Sequence, residues 1–300
     1  FVNKFVKAVV SDSTGLDAVT PFSPESGLTA TGGVISDFID GGNVYRAHIF
    51  TSSGIFNVTD DTSDFGTNIE YLVVGGGGGA GGRSGGGGGA GGLRTNLSGH
   101  PLAGSAYPVS TTNPYTVTVG GGGIGGSGDP GNADNSFSVP GTSGSLSEFY
   151  PTPVSHPSPA RIRADGGGGG TGCNASPEDS TGASGGGAGG GNPSPSGDRA
   201  GNTPPYSPAQ GNSGGDAAGT FTAGGGGGAG GAGVDANGSA PGDKAGNGGL
   251  GSRVAIVGPS SDPSPIGASG PGSGAAATGW FAGGGGGGNY NQGTAPVVIG

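Results

Sequence analysis

Apolar residues fall into short runs in the first quarter of the chain and thin out sharply afterwards. The opening "FVNKFVKAVV" is rich in Val and Phe and predicts a strand. "YRAHIFTSSGIFNVT", residues 45–59, places two apolar runs around a turn-like Ser52, Ser53, Gly54 cluster and predicts a hairpin. "IEYLVV", residues 69–74, predicts a further strand. In "YTVTV" the residues Tyr115, Val117 and Val119 share one face, and Thr116 and Thr118 the other. No window is long enough for an amphipathic helix before Gly or Pro interrupts it.

Two of these strand patterns pass straight into glycine: "EYLVVGGGGGAGG" at 70–82 and "YTVTVGGGGIGG" at 115–126. Glycine runs begin at Gly75, Gly85, Gly120, Gly166, Gly185, Gly224 and Gly283, with a weaker one near Gly248. Their irregular spacing excludes a fixed-period solenoid. Glycine fills 81 positions and proline 23. The Gly-X-Y frame of collagen is not kept. Composition divides the chain near Val74, into a small N-terminal β region (1–74) and a glycine-rich part with loops (75–300).

A flexible linker is the plain reading of such runs. The runs, however, are nearly pure glycine with Ala as the main substitute, and they cluster at five to nine residues. The alternative is a bundle of left-handed, threefold polyglycine II helices. Each has about 3 residues per turn and no internal hydrogen bonds, so its polar groups point outward and need neighbours. Only glycine lets such axes approach closely. One rod alone is unfavourable, because ordering costs about 1–2 kcal/mol per residue against about 0.5–1.5 kcal/mol per hydrogen bond. Seven or eight rods suffice for two or three layers. Ala229 and Ala232, three apart, are expected on one outer edge. Strand and rod share one backbone basin, so no turn is needed between them.

The formal net charge is −10, with 10 Lys and Arg in the whole chain. They are too few and too scattered to neutralise a nucleic-acid backbone. No run approaches the roughly 18 apolar residues of a membrane helix, and no signal peptide is visible. Methionine is absent, so the chain reads as processed or as a segment of something longer. The single Cys173 excludes an internal disulfide. His48, His100 and His156 lie far apart, and G-x-G-x-x-G recurs without a following helix. No acid, base and nucleophile converge. The expectation is a non-enzymatic protein with no cofactor and no metal. Asp60, Asp61 and Asp64 in "TDDTSDF" read as a solvated turn in preference to a calcium loop.

The loops hold aromatics that a linker does not need: Tyr107, Tyr115, Phe149, Tyr150, Tyr206, Phe221, Trp280, Phe281 and Tyr290. Tyr150, Tyr206, Trp280, Phe281 and Tyr290 are the candidate receptor- or sugar-contacting residues. Phe1, Val2, Phe5, Val6 and Val9 are the candidate assembly residues, since an apolar N-terminal strand can leave its subunit and complete a neighbour's sheet.

The succession of "YRAHIFTSSGIFNVT", "IEYLVVGGGGGAGG", a second "GGGGGAGG", "YTVTVGGGG" and "NSFS" resembles the glycine-rich domain of bacteriophage tail-fibre and adhesin proteins. The resemblance covers roughly residues 31–300 and is most specific over 45–92; residues 1–30 are left as an attachment or donor-strand segment. It implies a polyglycine II sandwich whose loops contact a host surface receptor or glycan. The expected fold is mostly irregular and all-β, with a small β region, a polyglycine II bundle and essentially no α-helix. The expected function is attachment, as a tail-fibre or adhesin component. The rival is a subunit of a self-assembling extracellular filament polymerising through its N-terminal strand. Expected partners are further copies of itself, other fibre proteins, or a host receptor or glycan, without nucleic acid or membrane insertion. The expected location is extracellular, on a virion tail fibre or a cell-surface filament.

Overall fold

The computed structural model describes residues 2–8, 27–40, 43–63, 65–128, 138–153, 161–174, 180–191, 199–219, 221–238, 244–256 and 279–289. Among them there is no α-helix; the fold is all-β and irregular. The strands are β1 (Val2–Ala8), β2 (Thr29–Thr31), β3 (Val34–Asp40), β4 (Asn43–Ile49), β5 (Gly54–Asp60), β6 (Asn68–Val74), β7 (Leu93–Thr95), β8 (Tyr107–Pro108), β9 (Tyr115–Thr118), β10 (Ser147–Pro151), β11 (Ile162–Ala164), β12 (Ser252–Arg253) and β13 (Trp280–Phe281). One sheet runs β3-β4-β1-β6-β7, with β8 also on β6; a second runs β11-β10-β9-β5-β2; β12 and β13 make a ribbon.

The hairpin expected over 45–59 does not form. β4 pairs with β3 and β1 in the first sheet, whereas β5 pairs with β2 and β9 in the second. The chain crosses between sheets at 50–53, with Phe50 buried at the crossing. Both apolar runs need a core, and two facing sheets supply it as well as one hairpin would.

That core lies between the sheets. Ile69, Tyr71 and Val73 of β6 meet Phe56, Val58, Tyr115, Val117, Phe149 and Ile162. Tyr115 and Phe149 stack at 5.0 Å, and Tyr107 stands edge-on to Phe149 at 5.3 Å. Leu72, on the opposite face of β6, joins Leu93, Val254 and Ile256 in a second cluster. Burial on both faces explains why "IEYLVV" shows little alternation.

The glycine runs are ordered rods. In rod 75–82 the amides of Gly75, Gly78 and Gly81 donate to rod 85–92 at 2.8–2.9 Å. Those of Gly76, Gly79 and Gly82 donate to rod 138–146 at 2.8–3.0 Å. The carbonyls of Gly77 and Ala80 accept from Gly123 and Gly126 of rod 120–128 at 2.8 Å. Bond direction thus repeats every third residue, as in a threefold polyglycine II helix.

Rod 223–230 is bonded on six sides, to 85–92, 183–191, 211–219, 231–238, 244–251 and 282–289. The rods therefore lie on a hexagonal net. One layer holds 138–146, 165–173, 183–191 and 211–219 in order; the next holds 120–128, 75–82, 85–92, 223–230 and 231–238; the third holds 282–289 and 244–251.

Three of these rods, 138–146, 211–219 and 231–238, are not glycine runs in the sequence. At the rim, glycine is required only where the rod faces a neighbour. In 138–146 those positions are Gly141 and Gly144, where a Cβ would stand 2.0 and 2.1 Å from the carbonyl oxygens of Gly79 and Gly76. Val139, Thr142 and Ser143 face solvent. Ala229 and Ala232 do not share an outer edge: the chain bends at 229–231, leaving Ala229 buried and Ala232 exposed on a different rod.

Strands and rods are continuous. β6 runs into 75–82, β9 into 120–128, β11 into 165–173 and β13 into 282–289, while 85–92, 138–146 and 244–251 run into β7, β10 and β12. Strands from both sides of Val74 consequently share the two sheets.

Candidate functional site

Tyr150 and Tyr206, far apart in sequence, belong to one polar ledge where the edge strands β7 and β11 of the two sheets come together. The guanidinium of Arg94 on β7 lies 4.8 Å from the Tyr206 ring centre, and that of Arg161 lies 4.8 Å from the Tyr150 ring centre. Such stacking is worth about 0.5–1 kcal/mol where exposed. Arg161 Nη1 donates to Glu148 Oε1 at 3.1 Å, and Arg163 Nε donates to Asp165 Oδ1 at 2.7 Å. Arg163 also comes within 3.9 Å of Glu148, which closes the series from Tyr206 to Tyr150.

The ledge has a rigid support. Gln210 is fully buried; its Oε1 accepts from the Asp165 amide at 2.9 Å and its Nε2 donates to the Pro204 carbonyl at 3.1 Å. Asn202 closes the turn that carries Tyr206, donating from Nδ2 to the Tyr206 carbonyl and accepting from the Tyr206 amide, both at 3.1 Å. Burial, followed by the nearby Asp165 charge, raises the Tyr206 phenol pKa above its ordinary value, so it is a neutral hydroxyl. The ledge therefore offers half-buried rings, guanidinium groups and a phenol side by side.

Arg94, Glu148, Arg161, Arg163, Asp165 and Gln210 were not singled out in the sequence. The signal available was "RIRAD", residues 161–165, where charged residues alternate with apolar ones at the period of a strand.

The remaining candidates distribute differently. Trp280 and Phe281 form β13, and Phe281 packs against the cluster of Leu93, Val254 and Ile256. Tyr290 lies outside the described residues, as do Phe1 and Val9. Val2, Phe5 and Val6 are in β1, where Val2 is opposite both Ile49 and Leu72, Phe5 is opposite Arg46 and Val6 opposite Tyr45. Tyr107, Tyr115 and Phe149 are core residues.

Asp60 Oδ1 accepts from the Thr62 amide and hydroxyl, and Asp61 Oδ2 accepts from the Thr111 amide at 2.9 Å. Asp64 lies outside the described residues. Among the described residues no three His, Cys, Asp or Glu side chains are grouped to hold a metal ion, and no helix is long and apolar enough to cross a membrane. Cys173 is buried, and burial pushes its thiol pKa up, away from the reactive thiolate.

A family model described as a glycine-rich domain matches residues 51–297, from the crossing between sheets onward. The chain belongs to this glycine-rich domain family. No curated protein and no solved structure matches it. The matched part of this glycine-rich domain contains every rod and the whole ledge, whereas β1 to β4 precede it.

Proposed function

We propose that this glycine-rich domain is a non-enzymatic attachment component of the tail-fibre or adhesin kind, working outside the cell and recognising a host surface receptor or glycan. The observation that carries this reading is the ledge of Tyr150 and Tyr206, held by arginines at the seam of the two sheets and backed by a hydrogen-bonded bundle. Rings with adjacent charged donors suit sugar and protein surfaces. A stiff bundle fixes them without the ordering cost of a flexible loop. The test is binding of the purified chain to immobilised surface glycans and to intact cells. Tyr150→Ala and Tyr206→Ala should each weaken binding about tenfold or more; full binding by both variants overturns the reading.

A second reading has its own observation. β1, at the start of the chain, sits in the middle of the first sheet, bonded to β4 on one side and β6 on the other. About twenty residues separate it from β2. A strand so placed can be supplied by a preceding copy, which makes the chain a filament subunit. Deleting residues 1–8 then leaves a chain that binds a synthetic "FVNKFVKA" peptide and no longer polymerises. Polymers formed by the deleted chain exclude this route.

A further inference from the structure

The charges on the ledge do not cancel. It carries Arg94, Arg161 and Arg163, three of the ten Lys and Arg of the chain, against Glu148 and Asp165, two of the twenty Asp and Glu. Both carboxylates are already engaged. Glu148 Oε1 takes Arg161 at 3.1 Å and Arg163 at 3.9 Å. Asp165 accepts from Arg163 at 2.7 Å on Oδ1 and from the Gln210 side chain at 3.3 Å on Oδ2. Arg46 and Arg199, away from the ledge, are matched in the same way by Asp37 and Asp216. Among the described residues no carboxylate lies within ion-pair distance of Arg94. The surplus positive charge of the ledge is therefore Arg94, in a chain whose net charge is −10.

Arg94 is nevertheless held in place. Its neighbours Leu93 and Thr95 are buried, and the Leu93 amide donates to the Gln210 carbonyl at 3.0 Å. Arg94 Nη1 donates to the Pro208 carbonyl at 2.9 Å, and the guanidinium lies 4.8 Å from the Tyr206 ring centre. A guanidinium has five N–H donors. One is used on Pro208, and the others meet no protein acceptor among the described residues. The side chain is only half-buried, so a ligand can reach them. A planar fork steadied by a ring, with donors left over, is preorganised for the two oxygens of a carboxylate. Arg163 and Arg94 both lie close enough to the Tyr206 phenol to oppose the upward pull of burial and of Asp165 on its pKa. The unpaired fork, the phenol and the Arg163 guanidinium are thus neighbours.

We propose that the ledge selects an acidic sugar, with the carboxylate of the sugar on Arg94 and its hydroxyls on the Tyr206 phenol and the outer N–H groups of Arg163. This rests on the attachment reading above and narrows it to glycans that carry an isolated carboxylate. One surplus charge matches one carboxylate. A neutral glycan displaces water from the Arg94 fork and leaves its donors without a charged acceptor. An acidic peptide or a densely sulfated polysaccharide brings several anions to an acidic chain, and those beyond the first fall against Glu148 or Asp165. A sugar acid places its remaining polar groups as hydroxyls, which both donate and accept and so suit a surface of mixed charge.

The test is binding of the full chain to immobilised sialyllactose and glucuronate-terminated oligosaccharides, each beside the same oligosaccharide with its carboxyl group reduced to the alcohol. Lactose, heparin and a polyglutamate peptide complete the set. The chain should bind a carboxylated probe about tenfold or more tighter than its reduced form, and tighter than heparin or polyglutamate. Arg94→Gln should erase this preference, and Arg94→Lys, which keeps the charge without the fork, should restore only part of it. A purely structural role for Arg94 would weaken both forms alike and keep their ratio. Equal binding of the acidic and reduced forms overturns the proposal, as does tighter binding of heparin or polyglutamate, or a preference that survives Arg94→Gln. The comparison of probes needs no variant, so a misfolded Arg94→Gln leaves it decisive. Binding of lactose and the reduced forms that Tyr206→Ala weakens, without acidic preference, removes this inference and keeps the attachment reading. Binding to none of the probes also removes it, and the attachment reading is then decided by binding to intact cells.

Discussion

Gly226 donates its amide to the carbonyl of Gly285 at 2.8 Å. Its Cα faces a different rod so closely that a Cβ would stand 2.1 Å from the carbonyl oxygen of Gly88. Backbone packed against backbone on all sides leaves no flexible side chain to give way. Gly226→Val should therefore cost about 3 kcal/mol or more, lowering the melting temperature by roughly 10 °C. Ala232→Thr, on an exposed rim position, should stay within about 0.5 kcal/mol. Thermal melts of both variants check this. Equal and negligible shifts would mean that the glycine runs are not packed rods.

Amide exchange should sort the rods by depth. Gly187 donates to Gly87 at 2.7 Å between two buried rods and should exchange only with global opening. The exposed Gly122 and Gly125 should exchange orders of magnitude faster, close to the rate of an unfolded peptide. Uniform fast exchange across both sets would contradict the bundle.

Stability should fall as pH drops below the ordinary histidine range. His48 is buried, and burial holds its pKa below the usual 6.5, with the Gly32 carbonyl acting in the opposite direction. His100 is shifted the same way, again chiefly by burial. The unfolded chain takes up these protons near pH 6.5 while the folded chain resists until lower pH. The contribution of both rings is therefore complete above that value and is lost below it. Melts at pH 7.5, 6.5 and 5.5 should show the decline, and His48→Gln should flatten it. A melting temperature constant over this range removes the assignment.

The ledge should be coupled to stability through Gln210. Gln210→Ala leaves the Asp165 amide and the Pro204 carbonyl without their partner in a buried place and opens a cavity. The expected loss is about 3 kcal/mol, read by urea unfolding, together with weaker binding at Tyr206. Unchanged stability would show that water replaces the amide and that the turn at 202–210 is held by other contacts.

The candidate site was legible only in part. Tyr150 and Tyr206 stood out because aromatics are rare in these loops. Nothing local announced that Arg94 and Arg161 would cover their rings, since Arg94 and Tyr206 are 112 positions apart and meet because the turn at 202–210 docks on β7, where the Leu93 amide donates to the Gln210 carbonyl and Arg94 Nη1 to the Pro208 carbonyl. Trp280 and Phe281 look alike in sequence to the ledge tyrosines, yet Phe281 packs onto a hydrophobic cluster.

By itself the sequence determined that this chain has no helix among its described residues, that strands pass into glycine without a turn, and that the nearly pure glycine runs are suited to close-packed rods. These follow from local rules: glycine and proline break helices, extended strand and threefold rod share one basin, and only glycine fits where a Cβ would meet a neighbouring carbonyl. The tertiary structure alone decided which strands pair, so that residues 45–59 split between two sheets and β1 entered the middle of one. It also decided which weakly glycine-rich segments became rim rods. In 138–146 only Gly141 and Gly144 face a neighbour, and that requirement comes from Gly79 and Gly76, some sixty residues earlier. Pairing between backbones carries no residue code beyond the absence of a side chain, so the order of rods on the net is set by where the chain's strands and loops deliver them.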